Sequence, residues 1–280
     1  MLLQGTTALE DAARDKRALP AFTAYNLETI QAIVVAGERA KLPIILVAGA
    51  SAFRHSGRMP LANLALEFAT SSEGLVGVHL DHSRSLEEIT ACLERGYTSV
   101  MFDGSDLPFT ENVRRTKEVV EIAHEKGAWV EAELVGISGN EDVSTNAVAG
   151  AMTDPEVAVG FVAETGIDAL AVAIGNIHGF SSTRPEIDLD RLESIRQRVG
   201  IPLVLHGASG LSDEVIVACL DRGVAKVNVN AELRKSYLVG IEGALLAARE
   251  TSDLLDVLGS GRDALTDTAV RITRLLARSE

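Results

Sequence analysis

Three short apolar runs in this chain end in a histidine: Val78-His79-Leu80-Asp81-His82, Ala173-Ile174-Gly175-Asn176-Ile177-His178-Gly179 and Leu203-Val204-Leu205-His206-Gly207-Ala208-Ser209. Only six histidines occur in the 280 residues. Neutral imidazole is the commonest borderline ligand of zinc, so three such run ends point to one divalent metal where separate strands converge. His82, His178 and His206 supply three nitrogens and leave a coordination position for substrate, the arrangement of a catalytic rather than a structural ion. His79 lies deeper in its run and reads as a hydrogen-bonded core residue. His124, beside Glu125 and Lys126 on a helical pattern, reads as exposed, and His55 falls in a loop with no assigned role.

Polar groups that could work with such a metal cluster at the ends of other runs. Asp81 immediately precedes a proposed ligand, where its carboxylate can act as general base on a substrate hydroxyl or orient an imidazole. Asp103 and Glu133 come from the next two runs and could hold a second cation or set the electrostatics around His82. Asn26, Asn228 and Asn230 lie at equivalent ends. Gly207-Ala208-Ser209-Gly210 and Asn228-Val229-Asn230-Ala231-Glu232 each read as a turn opening a helix, where backbone N–H groups and the helix dipole stabilise a phosphate without basic side chains.

These residues require a scaffold of strand ends. Eight β-rich runs recur with helical patterns between them: near Leu19–Ala24, Pro43–Ala48, Gly77–Leu80, Ser99–Asp103, Trp129–Leu134, Ala169–Ile174, Pro202–His206 and Ala225–Asn228. Continuous apolar character suits strands covered on both faces, and the helices suit right-handed crossovers. The expectation is an α/β protein, a single (β/α)8 TIM barrel over residues 1–280 with extra C-terminal helices, its chemistry on the face after the strands. Ala91-Cys92-Leu93-Glu94-Arg95-Gly96 and Ala218-Cys219-Leu220-Asp221-Arg222-Gly223 echo one another, each ending a helix on a glycine suited to a left-handed cap. Gly49–Pro60 and Gly136–Thr153 read as long loops, and from Glu232 onward the pattern is helical with a break at Ser252–Gly261.

A net charge of -14 argues against nucleic acid or an anionic membrane as partner, while a small phosphorylated substrate remains compatible. Cys92 and Cys219 each sit in an apolar helical pattern, which favours a reducing compartment over a disulfide. The opening Met1-Leu2-Leu3-Gln4-Gly5 has no basic segment or long apolar stretch, so a cytoplasmic protein is expected.

Taken in order, these stretches resemble the class II, metal-dependent ketose-bisphosphate aldolases, the family of fructose- and tagatose-bisphosphate aldolases. The resemblance runs from Phe22-Thr23-Ala24-Tyr25-Asn26 through His79-Leu80-Asp81-His82, Ser99–Ser105, Val130–Leu134, His178-Gly179 and Leu205–Ser209 to Lys226–Asn230. It implies zinc, or another divalent ion such as cobalt or iron, on His82, His178 and His206. Asp103 and Glu133 match ligands of a second metal in some members, and an activating monovalent cation is a further expectation. Asn26, Gly179, Gly207, Ala208, Ser209, Asn228, Asn230 and Ala231 would bind substrate, most of them around dihydroxyacetone phosphate. Asp81 would handle the C4 hydroxyl proton and Glu141 the C3 proton, while the metal, as a Lewis acid, stabilises the charge left when the C3–C4 bond breaks. The resemblance also implies a homodimer or homotetramer.

The chain departs from the family pattern at Ser83, Val135 and Phe180, and Ser252–Gly259 lacks the Asp-Pro-Arg opening and later arginine that members use for a distal phosphate. Arg54, Arg58, Arg184 and Arg262 are the candidate replacements. An aldolase with a different, unphosphorylated aldehyde is therefore an alternative, as are a Schiff-base aldolase using Lys226 and a barrel kept as a non-catalytic subunit.

Overall fold

The computed structural model describes residues 1–139, 143, 147–180 and 186–279. Eight parallel strands close in sequence order into a barrel, β1 pairing with both β2 and β8. They are β1 (Leu19–Thr23), β2 (Ile44–Ala48), β3 (Val76–Ser83), β4 (Ser99–Asp103), β5 (Trp129–Glu133), β6 (Ala169–Ala171), β7 (Leu203–Leu205) and β8 (Val224–Val229). Around them run α1 (Thr7–Arg14), α2 (Leu27–Ala40), α3 (Ala50–Ser56), α4 (Arg58–Ser71), α5 (Leu86–Arg95), α6 (Phe109–Glu125), α7 (Pro155–Thr165), α8 (Leu189–Val199) and α9 (Asp213–Leu220). Two longer helices, α10 (Ala231–Thr251) and α11 (Leu254–Ala277), pack against one another, and α11 also packs against α2.

The burial pattern separates two apolar regions. The larger lies between the barrel and the helices and includes Phe22, Leu46, Leu80, Phe102 and Phe161. The smaller fills the lower barrel with Leu19, Ala21, Ile45, Val47, Met101 and Trp129, and Leu9 and Ala12 of α1 close it from below. Alternation along each strand places residues two apart on the same face. In β5 this turns Trp129, Glu131 and Glu133 inward, so the lining passes from apolar at the base to ionisable at the mouth. Cys92 and Cys219 are buried, and burial pushes both thiols up to about 12, where little thiolate forms at neutral pH.

Several boundaries differ from those read in the sequence. Gly49–Pro60 holds α3 and the start of α4 instead of a loop; Pro60 sits in the first turn of α4, where its missing N–H costs nothing. The C-terminal break contracts to Ser252 and Asp253, with Ser252 left-handed at φ 57°. Gly207–Gly210 does not itself open α9, because Gly207 and Gly210 have positive φ and the helix waits for Ser212, whose hydroxyl accepts from Val215 N–H at 3.4 Å. The sixth strand ends at Ala171, so His178 stands on the connection beyond it. Gly96 is the left-handed cap of α5 as expected, whereas Gly223 falls three residues past the end of α9.

Candidate metal and catalytic site

Asp81 and His82 are neighbours, and in a regular strand they would point to opposite faces. The pairing of β3 with β4 shifts register between Leu80 and Ser83, and His82 takes a left-handed backbone at φ 44°. Such a bulge re-aims side chains beside functional sites. It brings His82 to the barrel mouth beside inward-facing Asp81. A non-glycine residue in this region costs of order 1–3 kcal/mol, a strain that concentrates at sites of function.

His82, His178 and His206 converge, with ring centroids 5.3, 4.7 and 5.9 Å apart and each pair edge-on. One nitrogen from each lies within 4.8 Å of the others. His82 Nε2 and His206 Nδ1 are 3.1 Å apart. Two nitrogens bound at ~2.0–2.1 Å to a tetrahedral zinc stand about 3.3 Å apart, so the residues present fit the ion. The outward nitrogens of His82 and His206 face carboxylates, the arrangement that fixes a ligand's tautomer. His206 Nε2 meets Glu131 Oε1 at 2.6 Å, and His82 Nδ1 stands 3.5 Å from both Asp103 Oδ2 and Glu133 Oε2.

Glu131 was not singled out from the sequence, although the period-two pattern of Trp129–Glu133 would have aimed it inward. Its second oxygen accepts from Lys226 Nζ at 2.7 Å, and Lys226 also donates to Asn228 Oδ1 at 2.7 Å; Glu131 and Lys226 are fully buried. Burial opposes the charge on Glu131, but Lys226 and His206 outweigh it and hold the carboxyl below its ordinary range. The same placement removes Lys226 as a Schiff-base candidate, since its ammonium is committed to two acceptors beneath the histidines. His79 is the expected core residue, bonded to Ser99 Oγ at 2.8 Å and stacked on Trp129. Burial, reinforced by Lys226, keeps it far below its usual pKa and hence neutral.

Glu131→Gln is expected to cost ~3–5 kcal/mol in urea denaturation, because it leaves the Lys226 charge buried and uncompensated. It should also weaken zinc binding about 10–100-fold. Glu131→Gln combined with Lys226→Met should recover much of the stability and none of the affinity. Equal stability of the single variant and the wild type would refute the pairing.

Asp81 is buried and accepts from Asn228 Nδ2 at 3.2 Å (Oδ1) and 3.4 Å (Oδ2). Asp103 is held below the usual carboxylate range: burial pushes upward, but hydrogen bonds from His82, Ser105 and Arg84 prevail. Glu133 shifts the other way, because burial dominates over the attraction of His82. Its Oε1 accepts from Ile137 N–H at 2.8 Å, while Oε2 has no hydrogen-bond partner among the described residues. An open cleft of about 420 Å³ adjoins these groups, lined by His82, Arg84, Asp103, Glu133, Gly136 and His178.

The turns expected to hold phosphate surround the same mouth. Gly207 packs so closely that a Cβ there would lie 2.2 Å from Ile177 O, which locks its turn against the His178 connection. Gly179, Ala208, Ser209, Asn228, Asn230 and Ala231 are all buried, and Asn230 accepts from Tyr25 Oη at 2.9 Å. Asn26 has a structural role, capping α2 in a reciprocal box with Thr29. Glu141 and Arg184 lie outside the described residues. His55 is exposed on α3, and His124 bonds Asp168 at 2.8 Å. Arg58 pairs with Glu87 and Arg262 with Asp263, while Arg54 is exposed.

A closed (β/α)8 barrel with three histidines gathered at its C-terminal mouth and carboxylates behind them defines a barrel with a candidate divalent-ion site. The chain belongs to the class II fructose-bisphosphate aldolase family, whose description, "Fructose-bisphosphate aldolase class-II", matches residues 4–280. It is thus an aldolase, a carbon–carbon lyase. The YdjI aldolase of Escherichia coli K12 is 32% identical over 100% of both chains, with a TM-score of 0.88. A protein provisionally described as a fructose-1,6-biphosphate aldolase from Coccidioides immitis is 31% identical over 99% of this chain and 96% of its own, at 0.86. The fructose-bisphosphate aldolase of Campylobacter jejuni shares the fold at 18% identity and a TM-score of 0.85, over 99% and 95% of the two chains. Among the described residues, no helix is long and apolar enough to cross a membrane.

Proposed function

We propose that the chain cleaves and re-forms the C3–C4 bond of a ketose phosphate, releasing dihydroxyacetone phosphate and an aldehyde. The observation that carries this reading is the bulged Asp81–His82 step, which sets a carboxylate beside a ligand of the histidine cluster. A divalent cation on His82, His178 and His206, zinc in this proposal, would supply Lewis acidity to charge developing on the substrate's carbonyl oxygen. Asp81, oriented by Asn228, takes the C4 hydroxyl proton during cleavage and returns it during condensation. Glu141 exchanges the proton at C3. Backbone N–H groups around Gly179, Gly207, Ala208, Ser209, Asn230 and Ala231 hold the phosphate, with Asn228 completing the pocket. An activating monovalent cation, a cytoplasmic location and a homodimer or homotetramer belong to the same proposal.

A second reading, favoured by the missing distal arginine, gives the enzyme a smaller or unphosphorylated aldehyde. Arg58 and Arg262 are engaged in other ion pairs, so the bidentate contact of an arginine with a second phosphate has no evident source in either. The deciding experiment is condensation by zinc-loaded protein of dihydroxyacetone phosphate with a panel of phosphorylated and free aldehydes, with product stereochemistry determined. Turnover with at least one is expected. Failure with all of them despite bound zinc would end the proposal, and kcat/KM for ketose bisphosphates at or above that for monophosphates would end the second reading.

A further inference from the structure

The geometry points to Arg84 as a tethered cation that engages Asp103 and so keeps a second metal ion off the group formed by His82, Asp103 and Glu133. His82, Asp103 and Glu133 bring ligand atoms within 4.8 Å of one another, which taken alone describes a second cation site. Two features close it. A carboxylate offers about four acceptor positions. Asp103 is engaged on both oxygens: Oδ1 accepts from Ser105 N–H (3.1 Å) and Oγ (2.6 Å), and Oδ2 from Arg84 Nε (3.1 Å) and Nη2 (2.9 Å). The remaining Arg84 nitrogen, Nη1, bonds Asp106, so the guanidinium is fixed at both ends.

The second feature is the imidazole of His82. Its Nε2 faces His206 Nδ1 and is the nitrogen turned to the histidine cluster; this step rests on the metal reading above. A neutral imidazole that gives Nε2 to a metal carries its proton on Nδ1, and here Nδ1 faces Asp103 and Glu133. Nδ1 then carries its proton on the side of those carboxylates and cannot also ligate. While Arg84 holds Asp103, a second ion would be left with Glu133 Oε2 alone, and freeing Asp103 restores a pair of carboxylates to bind it. Arg84 thus acts as a positioning residue: it neutralises Asp103 and keeps that carboxylate behind His82.

The test is metal content after equilibrium dialysis of intact protein against excess zinc, followed by removal of free ion. Arg84→Gln is expected to bind one more zinc per chain than the wild type, and adding Asp103→Asn should abolish that gain. Arg84→Lys, which keeps the charge, should show none. Equal zinc content in wild type and Arg84→Gln, or a gain that survives Asp103→Asn, overturns the proposal. Because the readout is a difference, it stands apart from the histidine cluster. A wild type that binds no zinc would refute the cluster reading, whereas a gain in Arg84→Gln would still support the role of Arg84. Arg84 is exposed at the rim, and thermal melts matching the wild type would show that the variant is folded.

Discussion

His206→Ala protein is expected to purify with little zinc and to lose at least about 10³-fold in kcat for aldol cleavage. Lewis-acid stabilisation is worth several kcal/mol, and each ~1.36 kcal/mol is a factor of ten in rate. His206 is chosen because it is fully buried and has a role on both sides of its ring, facing His82 at 3.1 Å and Glu131 at 2.6 Å. The fold should survive, since Glu131 keeps its ion pair with Lys226. Metal analysis with a coupled cleavage assay decides the matter. Wild-type zinc content and rate in the folded variant would show that the three histidines do not act together.

Asp81→Asn should behave differently. The amide is nearly isosteric, and by turning its oxygen toward Asn228 Nδ2 it can keep the contact the carboxylate makes. Zinc content and KM are therefore expected to stay near wild type, while kcat falls about 10²–10⁴-fold, the range contributed by a positioned general base. Loss of metal together with rate would instead make Asp81 a support for the histidines. Full activity with Asn at this position would remove it from the chemistry altogether. The pair of variants separates ion binding from proton transfer at two neighbouring side chains.

Much of the barrel was legible because both signals are local: apolar runs mark strands buried on two faces, and the intervening helices follow the 3.6-residue period. The same runs placed His82, His178, His206, Asp81, Asp103 and Glu133 at one end of the barrel. Pattern alone could not show the β3 bulge, because a register shift leaves no mark in the identities of Leu80 to Ser83. Nor could it weigh Glu131, whose importance comes from partners on β8 and just beyond β7, far away in sequence. The loop read at Gly49–Pro60 failed on Pro60, which local rules treat as a breaker although a first helical turn accepts it. At Asn26, expected to bind substrate, the structure adds a helix cap on α2 that the residue type alone did not distinguish.

The left-handed backbone at His82 bears on how this site could drift over generations. Ordinary tolerance maps ask whether a side chain can be replaced, but here the main chain sets its own filter. Glycine, asparagine, aspartate and histidine itself visit positive φ most readily, and β-branched residues do so least. Neutral wandering at position 82 is thus steered toward residues that keep the bulge while losing the imidazole. Under the metal reading proposed above, departures would survive as folded, metal-poor barrels, from which a single-nucleotide change in an asparagine or aspartate codon would restore the histidine. The bend in β3 would in this way keep a place for the histidine after such a change.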